Sequence, residues 1–138
     1  MCYSRCRGLF EVETKKSGES DENLKKDMDA AVQQIKAYSA AGGQILFGTD
    51  VGYIDAFDTT EEYRQLGRAL DWRQILEALT VAPAQRFGYA AHKGRITLGQ
   101  DADLVVLDAD PAKDLTAFAK VRLTIRGGRT IFDSQPSQ

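Results

Sequence analysis

Gln44-Ile45-Leu46-Phe47-Gly48-Thr49-Asp50 is a short, nearly continuous apolar run that gives way to polar residues, the pattern of a strand buried on both faces of a parallel sheet. Just upstream, Leu24, Met28, Val32, Ile35 and Tyr38 step by three or four residues, so they line one face of a helix. Gly42 and Gly43 stop it, because glycine takes the left-handed conformation that a helix end needs. A helix leading directly into a buried strand is the αβ unit of parallel α/β folds, in which ligands bind at the carboxyl ends of the strands. Asp50 therefore stands at an active-site position, although an aspartate there can equally cap the loop that follows. The loop Tyr53-Ile54-Asp55-Ala56-Phe57-Asp58 follows the carboxyl end of that strand, where a substrate pocket could be lined, which makes Tyr53 a candidate substrate-binding residue. Its aromatic residues could equally be packing residues.

Downstream the pattern is helical. Thr59 and Glu62 have the spacing of a capping box, and Tyr63, Leu66 and Leu70 continue on one helical face. Asp71 and Gln74 repeat that spacing ahead of Ile75, Leu76 and Leu79. A short third helix is expected from Pro83, a residue suited to a first helical turn, to a stop at Gly88. From Lys93 onward the chain reads as short strands at Arg95 to Leu98, Asp103 to Leu107, Val121 to Ile125 and Thr130 to Phe132. Apolar and charged residues alternate from Val121 to Arg126, Gly127-Gly128 forms a two-residue hairpin turn, and Ile131 returns on the same buried face. The resulting division is a loose tail over 1–20, a helix, strand and helices over 21–90, and a β segment over 91–138.

At 138 residues and 43% hydrophobic, the chain has the size of one domain with enough apolar content for a packed core. A formal net charge of −2, with basic and acidic residues interleaved, argues against nucleic acid as a partner. No apolar run approaches the roughly 18 residues that span a bilayer, and the stretch Met1-Cys2-Tyr3-Ser4-Arg5-Cys6-Arg7 is not followed by the apolar segment of a secretory signal. These features predict a cytoplasmic, membrane-free protein. Cys2 and Cys6 are expected to be free thiols, His92 a surface or packing residue, and Asp101, Asp103, Asp108, Asp110 and Asp114 turn and cap residues rather than a calcium loop.

Several of these stretches share one likeness. Gly48-Thr49-Asp50, then Ala82-Pro83-Ala84-Gln85-Arg86-Phe87-Gly88, then Lys93-Gly94-Arg95-Ile96 with Gly99-Gln100-Asp101-Ala102-Asp103-Leu104-Val105-Val106-Leu107-Asp108, and finally Ile125-Arg126-Gly127-Gly128 resemble the carboxy-terminal portion of the amidohydrolase superfamily. The branch most similar contains imidazolonepropionase-like and Xaa-Pro dipeptidase-like enzymes, and the likeness runs over roughly residues 24 to 133. It implies an α/β fold: the last strand and helices of a (β/α)8 barrel, followed by the carboxy-terminal strands of a small β-sandwich domain built from both chain ends. It further implies that Asp50 is a ligand of a divalent metal, zinc, and carries a proton from the attacking water to the leaving nitrogen.

The same family pattern requires a His-x-His pair, a middle-strand lysine or glutamate and two further histidines, whereas this sequence has one histidine, His92. A catalytic zinc takes about three protein ligands, and an eight-stranded barrel about 250 residues. The expectation is an incomplete barrel, a truncated or rearranged gene product that holds no metal alone. Its inherited function is hydrolysis of a carbon–nitrogen bond in a cyclic amide or Xaa-Pro dipeptide, exercised only with a missing amino-terminal barrel chain. Two other readings stay open, a non-catalytic domain that survives as a homo-oligomer and a module that binds a small molecule without turnover.

Overall fold

A computed structural model describes residues 21–49 and 57–135 of the chain. Helix α1, Asp21–Ala40, covers the predicted apolar face and buries Ala31 and Val32. It ends as the glycine pair requires: the Gly43 N–H donates to the Tyr38 carbonyl and the Gly42 N–H to the Ser39 carbonyl, each at 2.9 Å, with Gly42 at φ +78°. This double hydrogen bond satisfies carbonyls that the end of a helix leaves unpaired.

The run from Gln44 to Thr49 departs from expectation. It is extended and half-buried rather than doubly buried, and within it only Leu46 makes a single ladder bridge. A strand inside a parallel sheet needs hydrogen-bonding neighbours on both edges; here the Phe47 N–H finds a helix instead, donating to the Ala78 carbonyl at 3.2 Å. Ile45 and Phe47 pack on the core from that position.

Three short helices follow: α2, Thr60–Leu66, α3, Trp72–Leu79, and α4, Val81–Arg86. The capping box expected of Thr59 and Glu62 does not form, since Thr59 makes no side-chain cap; the carboxylate of Asp58 reaches forward instead and accepts from the Thr60 N–H at 2.9 Å. At α3 the box is complete. Asp71 accepts from the N–H groups of Arg73 and Gln74, and the Gln74 side chain accepts from the Asp71 N–H at 2.9 Å. Helix α4 begins two residues before Pro83, which then lies within the first turn, where its missing N–H has no intrahelical partner to lose. Gly94 lies against the start of α4, where a Cβ would come within 2.9 Å of the Ala84 Cβ and 3.0 Å of the Thr80 carbonyl oxygen.

Strands β1, Leu104–Leu107, β2, Val121–Arg126, and β3, Arg129–Asp133, form an antiparallel sheet in chain order. Leu104 faces Ile125 across the first pair, and Arg126 faces Arg129 at the hairpin. Gly127 at φ +55° and Gly128 at φ +76° close that hairpin with the positive-φ pair that matches strand twist. Two expectations fail here. Arg95 to Leu98 is not a strand, and Ile96 and Leu98 are 86% and 106% exposed, because among the described residues no strand lies alongside to complete a ladder. Ile131 is 62% exposed: its face of the sheet has no covering layer among the described residues.

A 3-10 helix at Leu115–Ala119, between β1 and β2, was not evident from periodicity. It delivers Phe118 to a core cluster with Tyr63, Leu70 and Ile75, so the sheet half and the helical half share one core. The fold is thus mixed α/β with a small antiparallel sheet.

Several aspartates do cap turns. Asp114 accepts from the Thr116 N–H at 2.9 Å and Asp110 from the Ala112 N–H at 2.9 Å. Asp103 accepts from the Gly127 N–H at 2.8 Å, and the Lys93 ammonium bridges Asp103 and Asp101, the latter at 2.9 Å. This node ties the 93–103 segment to the hairpin turn. The ammonium holds the Asp103 carboxyl below its ordinary value of 3.8, and the two carboxylates hold Lys93 above 10.5, Asp103 contributing most.

Truncation of the wholly buried Ile75 to alanine is expected to cost about 2–5 kcal/mol in denaturant unfolding, against about 1 kcal/mol for Asp71→Ala at the α3 cap. Because the folded-state pKa of Asp103 is depressed, its contribution is present above pH 3.8 and lost as pH falls through its folded value. Asp103→Asn should flatten the acid limb of the stability–pH curve in that window while leaving the neutral-to-mildly alkaline region level. An unchanged acid limb would show that the node does not bear on stability.

Candidate functional site

Asp50 and Tyr53, the candidate metal or catalytic residue and the candidate substrate-binding residue, lie outside the described residues, as do Cys2 and Cys6. What the structure supplies is the framework on either side of the 50–56 segment. On the upstream side, Phe47 is pinned through its N–H to Ala78, and its ring stacks on Tyr63 with centroids 4.9 Å apart and planes 1° from parallel. The exposed amide of Gln44 reaches Gln85 on α4 at 3.2 Å. On the downstream side, Asp58 caps α2 through Thr60, and the Tyr63 N–H donates to the Thr59 carbonyl at 3.3 Å.

Tyr63 is common to both sides. Its ring lies between Phe47 and Phe118, the latter at 5.4 Å and tilted by 34°. Burial pushes its phenol up to about 12, the neighbouring Glu62 charge adding to the effect, while a hydrogen bond to the Thr59 side chain opposes it. The phenol is therefore a neutral structural group at ordinary pH. Asp58 is held below the usual carboxylate value first by the Thr60 side chain and then by the Thr60 N–H, so it stays ionised in its capping role.

His92 is exposed, with its backbone engaged in the turn that links Tyr89 to Asp101. Among the described residues no group of three or more histidine, cysteine, aspartate or glutamate side chains could hold a metal ion, and they do not fit the divalent metal implied by the family likeness. The capping pattern around Asp58 and the aromatic stack at Tyr63 were the features that sequence reading missed. Asp58 carried a usable signal, an aspartate two residues before a helix start, whereas nothing local marks Phe47 and Tyr63 as a stacked pair. No described helix is long and apolar enough to cross a membrane.

Comparison with known proteins defines the setting of this framework. The chain is 34% identical over 91 residues to a deacetylase of Enterococcus faecalis, covering 58% of this chain and 24% of that protein. Among solved structures it resembles a prolidase complexed with N-methylphosphonate-L-proline, with TM-score 0.72 and 25% identity over 91% of this chain and 33% of the other. It also resembles an amidohydrolase with TM-score 0.70 and 26% identity, again over 91% of this chain and 32% of the other. The chain thus spans about a quarter of the curated relative and about a third of the two solved structures. The pattern of the amidohydrolase family matches residues 20–132, and with that match covering most of its length the chain belongs to the amidohydrolase family.

Proposed function

We propose that this chain is the carboxy-terminal part of a metal-dependent hydrolase acting on carbon–nitrogen bonds, of the cyclic-amide or Xaa-Pro dipeptide class, and is inactive by itself. The observation that carries this reading is the family match over residues 20–132 combined with coverage of only a third of a prolidase. In this view 21–90 is the end of a (β/α)8 barrel, and 91–138 is part of a small second domain. The half-buried, nearly unpaired run from Gln44 to Thr49 accords with a strand whose neighbours are on another polypeptide segment. Asp50 is the group this chain contributes to the chemistry, a carboxylate able to take a proton from an attacking water and return it to a leaving nitrogen. The metal ligands have to come from outside the described residues, as does most of the substrate pocket.

A second reading is favoured by one observation. Ile96, Leu98, Val105, Ile131 and Phe132 are all exposed on the β segment, and apolar surface of this kind drives association. In the absence of an upstream chain we expect copies to cover it as a homo-oligomer, without catalysis.

Supplying the amino-terminal two thirds of a related prolidase as a separate polypeptide tests the first reading. Hydrolysis of an Xaa-Pro dipeptide should appear only in the mixture, and Asp50→Asn should lower its kcat on the order of 10²-fold or more. Turnover by the chain alone, or full activity of the Asp50→Asn mixture, would overturn it. Light scattering of the isolated chain should give a multiple of 15.2 kDa, and a strictly monomeric mass would remove the oligomer reading.

A further inference from the structure

We infer that the outer edge of β1 is an interaction surface whose occupant is β1 of a second copy, paired antiparallel about a twofold axis through Val105. The inference rests on the homo-oligomer reading given above and names the contact through which the oligomer forms. The three-stranded sheet, in the order β1-β2-β3, has two edges, and they are unlike. On β3, Phe132 faces Thr124 and Thr130 faces Ile125, so Ile131 is an extra residue. A bulge of this kind, with Arg129 and Asp133 at the strand ends, keeps an edge from pairing. On the β1 side the irregularity falls between Val106 and Leu107, and the residue skipped, Arg122, belongs to β2, which leaves β1 itself unbulged. Its sequence, Leu104-Val105-Val106-Leu107, carries no charge, and Val105 is 58% exposed.

Hydrogen-bond alternation decides which groups the edge offers. The Ser134 N–H donates to the Arg122 carbonyl at 2.9 Å, so Arg122 and Thr124 turn their backbone groups toward β3, while Leu123 and Ile125 turn theirs toward Val106 and Leu104. The alternate residue of β1, Val105, therefore points its N–H and C=O outward, and among the described residues no strand pairs with them. An antiparallel copy centred on Val105 exchanges both bonds with its own Val105 and sets Leu104 opposite Val106. Centring between Val105 and Val106 would oppose an outward residue to an inward one and put Asp103 opposite Asp108, a like-charge pair. In the register centred on Val105, Asp103, already held by Lys93 and the Gly127 N–H, meets Leu107, and Asp108 falls opposite Ala102. Val105, Thr124 and Phe132 are neighbours across the sheet, so the pairing extends that row through six strands. It closes the assembly at two copies, with the bulged β3 strands outermost.

Two measurements on the full chain test this pairing. Light scattering of the unsubstituted chain should give twice 15.2 kDa. Val105→Lys, which sets two ammonium groups face to face, should weaken association about tenfold or more with the helical circular dichroism unchanged, whereas Ile131→Lys on the β3 edge should not weaken it. The second measurement is oxidative cross-linking with Cys2 and Cys6 replaced by serine. Opposed Val105 residues have Cα atoms about 5.5 Å apart, within the span of a disulfide, so Val105→Cys should give a covalent dimer. The two Val106 residues lie diagonally at about 7–8 Å, and Val106→Cys should not cross-link. A dimer retained by folded Val105→Lys, or cross-linking through Val106→Cys as readily as through Val105→Cys, overturns the proposal. If Val105→Lys does not fold, the cross-linking comparison decides alone. A dimer that survives Val105→Lys and is lost in Ile131→Lys keeps the homo-oligomer reading and removes the β1 edge; a monomeric unsubstituted chain removes both.

Discussion

Three aromatic rings hold this structure together. Phe47 comes from the run after α1, Tyr63 from α2, and Phe118 from the 3-10 helix between β1 and β2. Each pair of such rings contributes about 0.5–1.5 kcal/mol beyond the burial of its area. Location matters more than magnitude. The middle ring touches both the run after α1, through Phe47, and the 3-10 helix of the sheet half, through Phe118. Ile75, with no exposure at all, and Leu70 fill the space around it, so the helical elements and the sheet depend on a common centre although their local hydrogen bonds are separate.

What was legible in the sequence follows from how local each signal is. The end of α1 at Gly42 and Gly43, the Asp71–Gln74 box, and the hairpin at Gly127-Gly128 are each specified within a few residues, and all three are present. Arg95 to Leu98 and Gln44 to Gly48 have the composition of strands, but a strand exists only with a partner. The described chain gives the first none and the second a single bridge. Ile131 was misplaced for a related reason, since alternation tells which residues share a face and not whether anything covers it. The Leu115–Ala119 helix was missed because five residues are too few to show a period.

The candidate site divides along the same line. The sequence points to Asp50, at the end of an apolar run, and the family likeness suggests its chemistry, but Asp50 itself lies outside the described residues. The framework on either side of the 50–56 segment, the stack of Phe47 on Tyr63 and the cap from Asp58, depends on contacts made across 16 residues in the first case and on a side-chain choice between neighbouring Asp58 and Thr59 in the second. Neither is encoded in a spacing. The charged node at Lys93 is intermediate, because its aspartates were recognisable as turn residues while their common partner was not.

The position of Phe118 has a consequence for synthesis of the chain. The hairpin of β2 and β3 is a local structure of the kind that forms in about 1–10 μs, but the contact of Phe118 with Tyr63 joins residues far apart in sequence and carries the loop-closure entropy of that separation. A nascent chain leaves the ribosome from its amino terminus, so α1 to α4 emerge first with one face of Tyr63 still bare. The helical half waits for the 3-10 helix before its aromatic centre can close, and a ribosome that stalls or terminates before Phe118 releases a polypeptide with the four described α-helices and an open core.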